Sequence, residues 1–88
     1  LKDVPDHRSA VLMARLAHDA AGFLAGLGQL ASSSSIDGLR YALASGEVIH
    51  YRPSGNAPEL RCYVEAGTPE RADAMLQWGL EAAAKVVR

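Results

Sequence analysis

Three short segments in the middle of this chain alternate apolar and polar residues, and only short connections separate them. The segments run over 39–43, 48–51 and 60–66. Alternation with a period of two is typical of strands with one buried face, and Ser45-Gly46 between the first two segments is a turn signal. Strands joined by connections this short pair as antiparallel neighbours. The sequence therefore predicts a three-stranded antiparallel meander.

A helical pattern lies on each side of the meander. We expect the first helix to start with Asp6 as its capping residue and to end near Gly26 and Gly28. The second starts at Thr68-Pro69-Glu70, where a capping hydroxyl, a proline and an acidic residue follow one another. The apolar stripes that these helices would bury are Leu12, Leu16, Ala20, Phe23 and Leu27 in the first, and Ala72, Met75, Leu76, Leu80, Ala83, Val86 and Val87 in the second.

This order of elements predicts an α+β fold. The simplest arrangement is a two-layer sandwich, with an antiparallel sheet and two helices on one face of it. The serine run 32–35 has neither periodicity nor charge, so we expect it to be a surface loop. Residues 1–4 are read as the end or a remnant of a further strand.

Composition limits the classes of function that remain open. The chain has 88 residues, enough for a single domain over 1–88. A net charge of −1 and a pI near 6.3 disfavour nucleic acid and membrane surfaces as partners, and no apolar run approaches the ~20 residues that span a bilayer. The single cysteine, Cys62, fits a reducing compartment, and we expect the cytoplasm. Because the chain starts without methionine, we expect it to be a segment of a longer protein.

The residues that follow the second predicted strand concentrate hydrogen-bond donors. Arg52 offers a planar fork of N–H groups, Ser54 a hydroxyl, Gly55 an accessible backbone amide and Asn56 a carboxamide. A preorganised site for an anion such as phosphate is one interpretation. An ordinary turn is the other, since Pro-Ser-Gly-Asn is common in turns without any ligand. The residues alone leave both interpretations open.

No other group of residues in the sequence indicates a catalytic or metal-binding site. His7 and His18 are too far apart along the first helix to share a metal ion. His50 is expected to face away from Tyr51, in a structural or supporting role, and Cys62 falls on the predicted core face, where a thiol is inert. The chain shows no nucleophile–base pair, metal loop or glycine-rich nucleotide loop. We therefore do not expect this chain to perform catalysis alone.

Over 52–66 the sequence resembles the R-x-S-G-T-E-P-x-x-R-x-Y-x-E signature of the α-D-phosphohexomutases. Ile36-Asp37-Gly38-Leu39-Arg40 is similar to the D-G strand that precedes this signature in the family. The resemblance implies the fourth, C-terminal domain of such an enzyme, with a fold similar to the TATA-binding-protein repeat. It also implies three further domains as partners, a phosphosugar substrate and Mg²⁺ bound outside this domain.

Matched position by position, the resemblance implies that Arg52 and Ser54 bind the substrate phosphate. Gly55 would contribute a backbone contact and Asn56 a donor, although Asn56 stands where the family has threonine. Ala57 stands where the family has glutamate, and Arg61 matches the second basic position of the signature as a possible supporting residue. The implied activity is that of a phosphomannomutase or phosphoglucomutase. A phosphoglucosamine mutase domain and a stand-alone anion- or protein-binding module remain the alternatives.

Overall fold

The computed structural model describes residues 1–88 as six elements in one α+β sandwich. The helix α1 (Asp6–Phe23) comes first, and α2 (Pro69–Val87) comes last. Between them lie β1 (Leu30–Ser34), β2 (Leu39–Leu43), β3 (Val48–Pro53) and β4 (Leu60–Glu65). These strands form one antiparallel sheet in the order β1-β2-β3-β4. The predicted fold class is confirmed.

The sheet has four strands, and the prediction of three was wrong at the serine run. Ser32, Ser33 and Ser34 belong to β1, where they pair with Ala42, Tyr41 and Arg40 of β2. Strand β1 is an edge strand, and its register shifts between Leu30 and Ser32. Its backbone forms hydrogen bonds with β2, while most of its side chains are exposed. Such a strand needs no alternation of apolar and polar residues, so the sequence pattern does not predict it.

One face of the sheet carries the core, and both helices cover that face. Leu12 and Leu16 of α1 and Ala83 of α2 are buried in one cluster with the sheet residues Ile49 and Tyr51. The Tyr51 hydroxyl donates a hydrogen bond to the Gly79 carbonyl oxygen at 2.6 Å, which ties β3 to α2. The opposite face of the sheet carries no helix.

The two helices start in different ways. Thr68 caps α2 as predicted, because its hydroxyl oxygen accepts a hydrogen bond from the Arg71 N–H at 3.1 Å. The prediction of Asp6 as the cap of α1 was wrong, since Asp6 is the first helical residue and Pro5 precedes it without a side-chain cap bond. Helix α1 also departs from helical geometry at Asp19, whose carboxylate accepts a hydrogen bond from the Gly22 N–H at 3.0 Å.

Residues 1–4 lie along the free edge of β4. The Leu60 N–H donates to the Leu1 carbonyl oxygen at 2.8 Å, and the Val4 N–H donates to the Pro58 carbonyl oxygen at 2.7 Å. Val4 is fully buried in the core. This segment is not a regular strand, but these backbone hydrogen bonds hold the connection between β3 and β4 against the start of α1.

Candidate functional site

The donor-rich residues form the connection between β3 and β4, here called the signature loop (residues 54–59). Its two ends are joined because the Ser54 N–H donates to the Glu59 carbonyl oxygen at 2.9 Å. Inside it, the Glu59 N–H donates to the Ala57 carbonyl oxygen at 2.8 Å, and the Asn56 N–H donates to the Ser54 hydroxyl oxygen at 3.3 Å. Ser54 is almost fully buried, whereas Gly55 and Asn56 are exposed. The loop is therefore a closed turn with its middle open to solvent.

The signature loop lines a shallow depression of about 350 Å³. Ser54, Gly55 and Asn56 all contribute to it, so the structure brings three of the predicted site residues together. The backbone N–H groups of Gly55 and Ala57 have no acceptor within the chain, and they remain available to a ligand oxygen. The first residue of α1, Asp6, borders the same depression. Its carboxylate is the one group there that opposes an anion.

Arg52 lies next to the signature loop, on the helix-free face of the sheet, and does not line the depression. Its Nη1 donates a hydrogen bond to Oδ2 of Asp37 at 3.1 Å, and about a third of its side chain is exposed. The guanidinium carbon also lies 5.8 Å from the ring centre of Tyr63, within the range of a cation–π interaction.

Arg61 is the direct cross-strand partner of Arg52 in the β3–β4 pair. Side chains of such partners leave the same face of a sheet, with their Cβ atoms about 4.5–5.5 Å apart. Arg61 is exposed and forms no ion pair. Two guanidinium groups therefore share this corner of the sheet, and only one of them has a carboxylate partner. The corner favours an anion.

Asp37 and Tyr63 are the residues at this site that were not predicted from the sequence. Asp37 begins the turn into β2, and the following residue, Gly38, has a φ of +70°. A side chain at Gly38 would collide with the Tyr51 carbonyl oxygen, so this turn needs glycine. No sequence signal shows that Asp37 meets Arg52, because that contact depends on how β2 and β3 are aligned.

His50 supports this corner from the same face. It faces away from the buried Tyr51, as predicted. Its Nε2 donates a hydrogen bond to the carbonyl oxygen of Asp37, and its ring centre lies 5.7 Å from that of Tyr63. His50 therefore joins the Asp37 turn to the aromatic ring beneath Arg52.

Cys62 takes no part in the site, and neither does any cluster of metal-binding side chains. Cys62 lies on the core face, where burial raises the pKa of its thiol to about 11. A thiol with a pKa this high is mostly protonated at neutral pH, as expected for an unreactive cysteine on the core face. No group of three or more His, Cys, Asp or Glu side chains is placed to hold a metal ion. None of the helices combines the length and apolar character needed to cross a membrane.

The sequence matches a known family over nearly its whole length. The family model for the phosphoglucomutase/phosphomannomutase C-terminal domain matches residues 2–77. The chain belongs to this family. The resemblance seen in the sequence is thereby confirmed, and the match includes both the Asp37 turn and the complete signature loop.

Individual relatives agree with the family match. A phosphomannomutase of Sinorhizobium fredii is 42% identical over 83 residues, which cover 91% of this chain and 18% of that protein. A phosphomannomutase of Salmonella muenchen is 55% identical over 40 residues, covering 46% of this chain and 8% of that protein. A phosphopentomutase of Thermococcus kodakarensis is 30% identical over 84 residues, covering 96% of this chain and 18% of that protein. The chain thus spans about a fifth of the length of the first relative.

Proposed function

We propose that this chain binds the phosphate group of a sugar phosphate, as the C-terminal domain of a phosphohexomutase. The observation that carries the proposal is the pair of arginines, Arg52 and Arg61, placed opposite each other beside a loop with free backbone N–H groups. Guanidinium, hydroxyl and amide donors suit phosphate oxygens. They do not suit a magnesium ion, which prefers carboxylate and carbonyl oxygen ligands.

Each predicted site residue has a role in this proposal. Arg52 forms charge-assisted hydrogen bonds with the phosphate, and Arg61 adds positive charge next to it. Gly55 and Asn56 offer N–H donors from the rim of the depression, and the Ser54 hydroxyl offers one from its wall. Asn56 can replace a threonine here because its carboxamide also donates. Ala57, where the family signature has glutamate, leaves the loop without that negative charge, which favours an anion there.

The names of the relatives favour phosphate as the group that this domain recognises. One relative is named a phosphomannomutase and another a phosphopentomutase. Hexose and pentose phosphates differ in the sugar and share the phosphate. A domain common to both enzymes is therefore expected to bind the shared group, while other parts of the enzyme select the sugar.

In the complete enzyme, the proposed reaction interconverts a hexose 1-phosphate and a hexose 6-phosphate through a bisphosphate intermediate. The three other domains supply the phosphoryl-transfer groups and bind the Mg²⁺. This chain holds the phosphate that is not being transferred, and such positioning of a substrate can contribute about 7–11 kcal/mol to lowering a barrier in favourable cases. The family match favours this role over that of a stand-alone binding module.

The proposal is tested with Arg52→Ala in the complete protein. A charge-assisted hydrogen bond contributes about 1.5–3 kcal/mol, so we expect kcat/KM for mannose 1-phosphate to fall at least about tenfold, with a raised KM. Arg40→Ala is the matched control, because Arg40 lies on the same face of the sheet and pairs with Glu65 at 3.0 Å. The proposal is wrong if both variants keep the kinetics of the unmodified protein.

A further inference from the structure

We propose that Asp37 is a positioning residue, which fixes the Arg52 guanidinium in the orientation that receives the substrate phosphate. This inference rests on the proposed function. The contact that carries it is the hydrogen bond from Nη1 of Arg52 to Oδ2 of Asp37, at 3.1 Å. An exposed arginine side chain otherwise populates many rotamers, and each must be given up when the ligand binds.

The contact with Asp37 leaves most of the guanidinium free. Arginine has five N–H donors in a rigid fork, and the bond to Asp37 uses one of them. The remaining donors can engage a phosphate without breaking that bond. The ring of Tyr63 restricts the movement of the guanidinium from another direction, with 5.8 Å between the guanidinium carbon and the ring centre. Asp37 and Tyr63 together hold Arg52 while occupying only one of its N–H donors.

Asp37 can hold another side chain because its own position is fixed by the backbone. The turn at Asp37-Gly38 packs directly against the backbone of β3, at Tyr51 and Arg52. His50, also on β3, donates from its Nε2 to the Asp37 carbonyl oxygen. The backbone of Asp37 is thus anchored to the same strand that carries Arg52, which keeps the carboxylate within reach of the guanidinium.

The charge pattern explains why Arg52 needs such a partner. Arg61 lies directly opposite Arg52, and like charges in this arrangement repel each other. Without a carboxylate nearby, the flexible guanidinium of Arg52 would turn away from Arg61 and into solvent. Asp37 precedes β2 and contacts Arg52 from the side of β3 opposite β4, and its negative charge offsets the repulsion between the two arginines.

The test compares Asp37→Asn with Asp37→Ala in the complete protein. Both variants lack the charge of Asp37, but asparagine keeps a side-chain oxygen that can accept from Arg52, whereas alanine does not. Calorimetry with mannose 6-phosphate measures the dissociation constants. We expect Asp37→Asn to bind about two- to tenfold more tightly than Asp37→Ala, a range that corresponds to the net strength of one hydrogen bond. The same ratio is expected between their KM values, with kcat unchanged.

Glu65 provides the matched control. The Arg40–Glu65 pair has the same kind of geometry, with 3.0 Å between Nη2 and Oε2 and both side chains exposed. Arg40 faces His50 across the sheet, not a second arginine. We therefore expect Glu65→Gln and Glu65→Ala to bind mannose 6-phosphate equally. Thermal unfolding of the four variants checks that each of them remains folded.

The outcomes separate this inference from the proposed function. If Arg52→Ala abolishes binding while Asp37→Asn and Asp37→Ala bind equally, phosphate binding stands and the positioning role of Asp37 is wrong. Tighter binding by Asp37→Ala than by Asp37→Asn would also overturn it, and would make Asp37 a competitor of the ligand. If Arg52→Ala leaves binding unchanged, the proposed function is wrong, and the positioning role is wrong with it.

Discussion

Arg61 faces Arg52 across the β3–β4 pair and has no ion-pair partner of its own. Like charges directly opposite each other destabilise a sheet, and pairs of this kind are worth about 0.2–1 kcal/mol. Arg61→Gln should therefore raise the free energy of unfolding by up to about 1 kcal/mol, as measured by urea denaturation. The same variant should weaken mannose 6-phosphate binding about threefold or more, since it removes a cation beside the ligand.

A gain in stability together with a loss of affinity distinguishes an arginine that binds the ligand from an ordinary surface residue. Arg8, an exposed arginine in the first turns of α1, is the control, and Arg8→Gln should leave the affinity for mannose 6-phosphate unchanged. If Arg61→Gln lowers the stability and keeps the affinity, Arg61 supports the sheet and does not assist the ligand.

At the scale of single residues, the sequence predicts the groups that are close together along the chain. Ser54, Gly55 and Asn56 meet in one depression because they are consecutive in a tight loop. Asp37 could not be predicted in the same way. It is fifteen positions before Arg52, and only the alignment of β2 with β3 brings the two side chains into contact.

At the scale of elements, patterns of side-chain burial were sufficient for five of the six. Helix α2 and strands β2 to β4 each bury one face, so their apolar residues recur at helical or alternating spacing in the sequence. Strand β1 is held by backbone hydrogen bonds at a sheet edge, so its serine residues show no alternation of apolar and polar residues. The predicted start of α1 was also wrong. Pro5 precedes the helix, and Asp6 is already helical and forms no cap bond.

The contact between α2 and the sheet depends on Gly79. A Cβ atom at this position would lie 2.9 Å from Cδ1 of Ile49 and 3.0 Å from Sγ of Cys62. Alanine is favoured over glycine inside a helix by about 1 kcal/mol, but inserting an atom into a packed core costs about 1–3 kcal/mol. We expect the steric cost to be larger, because Tyr51 also holds the Gly79 carbonyl oxygen in place.

Gly79→Ala should therefore lower the free energy of unfolding by up to about 2 kcal/mol, as measured by urea denaturation. Gly67→Ala is the control, since a Cβ atom at Gly67 meets nothing within 4 Å. A stability gain for Gly79→Ala would show that the helix moves away from the sheet without cost, which would contradict the tight packing described above.

At the scale of the whole molecule, the layer arrangement separates stability from binding. The helices and the core occupy one face of the sheet. The arginines and the Asp37 turn occupy the opposite face and the adjoining corner, where changes of side chain leave the core untouched. This separation is the reason that variants at Asp37 and Arg61 are expected to alter the affinity for a phosphosugar while the protein stays folded.

One ion pair joins three distant parts of the molecule. Arg71, in the first turn of α2, donates from Nε to Glu47 at 2.8 Å and from Nη2 to the Leu27 carbonyl oxygen at 3.3 Å. Glu47 lies in the turn before β3 and also accepts from the Ser45 hydroxyl at 3.0 Å. Hydrogen bonds from Arg71 and then from Ser45 hold the pKa of Glu47 below its ordinary value of 4.5.

This shift predicts how the stability of the protein changes with pH. Because the pKa of Glu47 is lower in the folded chain, the unfolded chain binds a proton first on acidification. The stabilising contribution of Glu47 is complete above pH 4.5 and is lost as the pH falls through the folded-state pKa. Urea denaturation between neutral pH and about pH 3 should show a smaller loss of stability for Glu47→Gln than for the unmodified chain. Arg71→Met should also reduce the loss of stability on acidification, but by less than Glu47→Gln, because the hydrogen bond from Ser45 to Glu47 remains. An unchanged loss of stability in both variants would contradict this link between α2 and the β2–β3 turn.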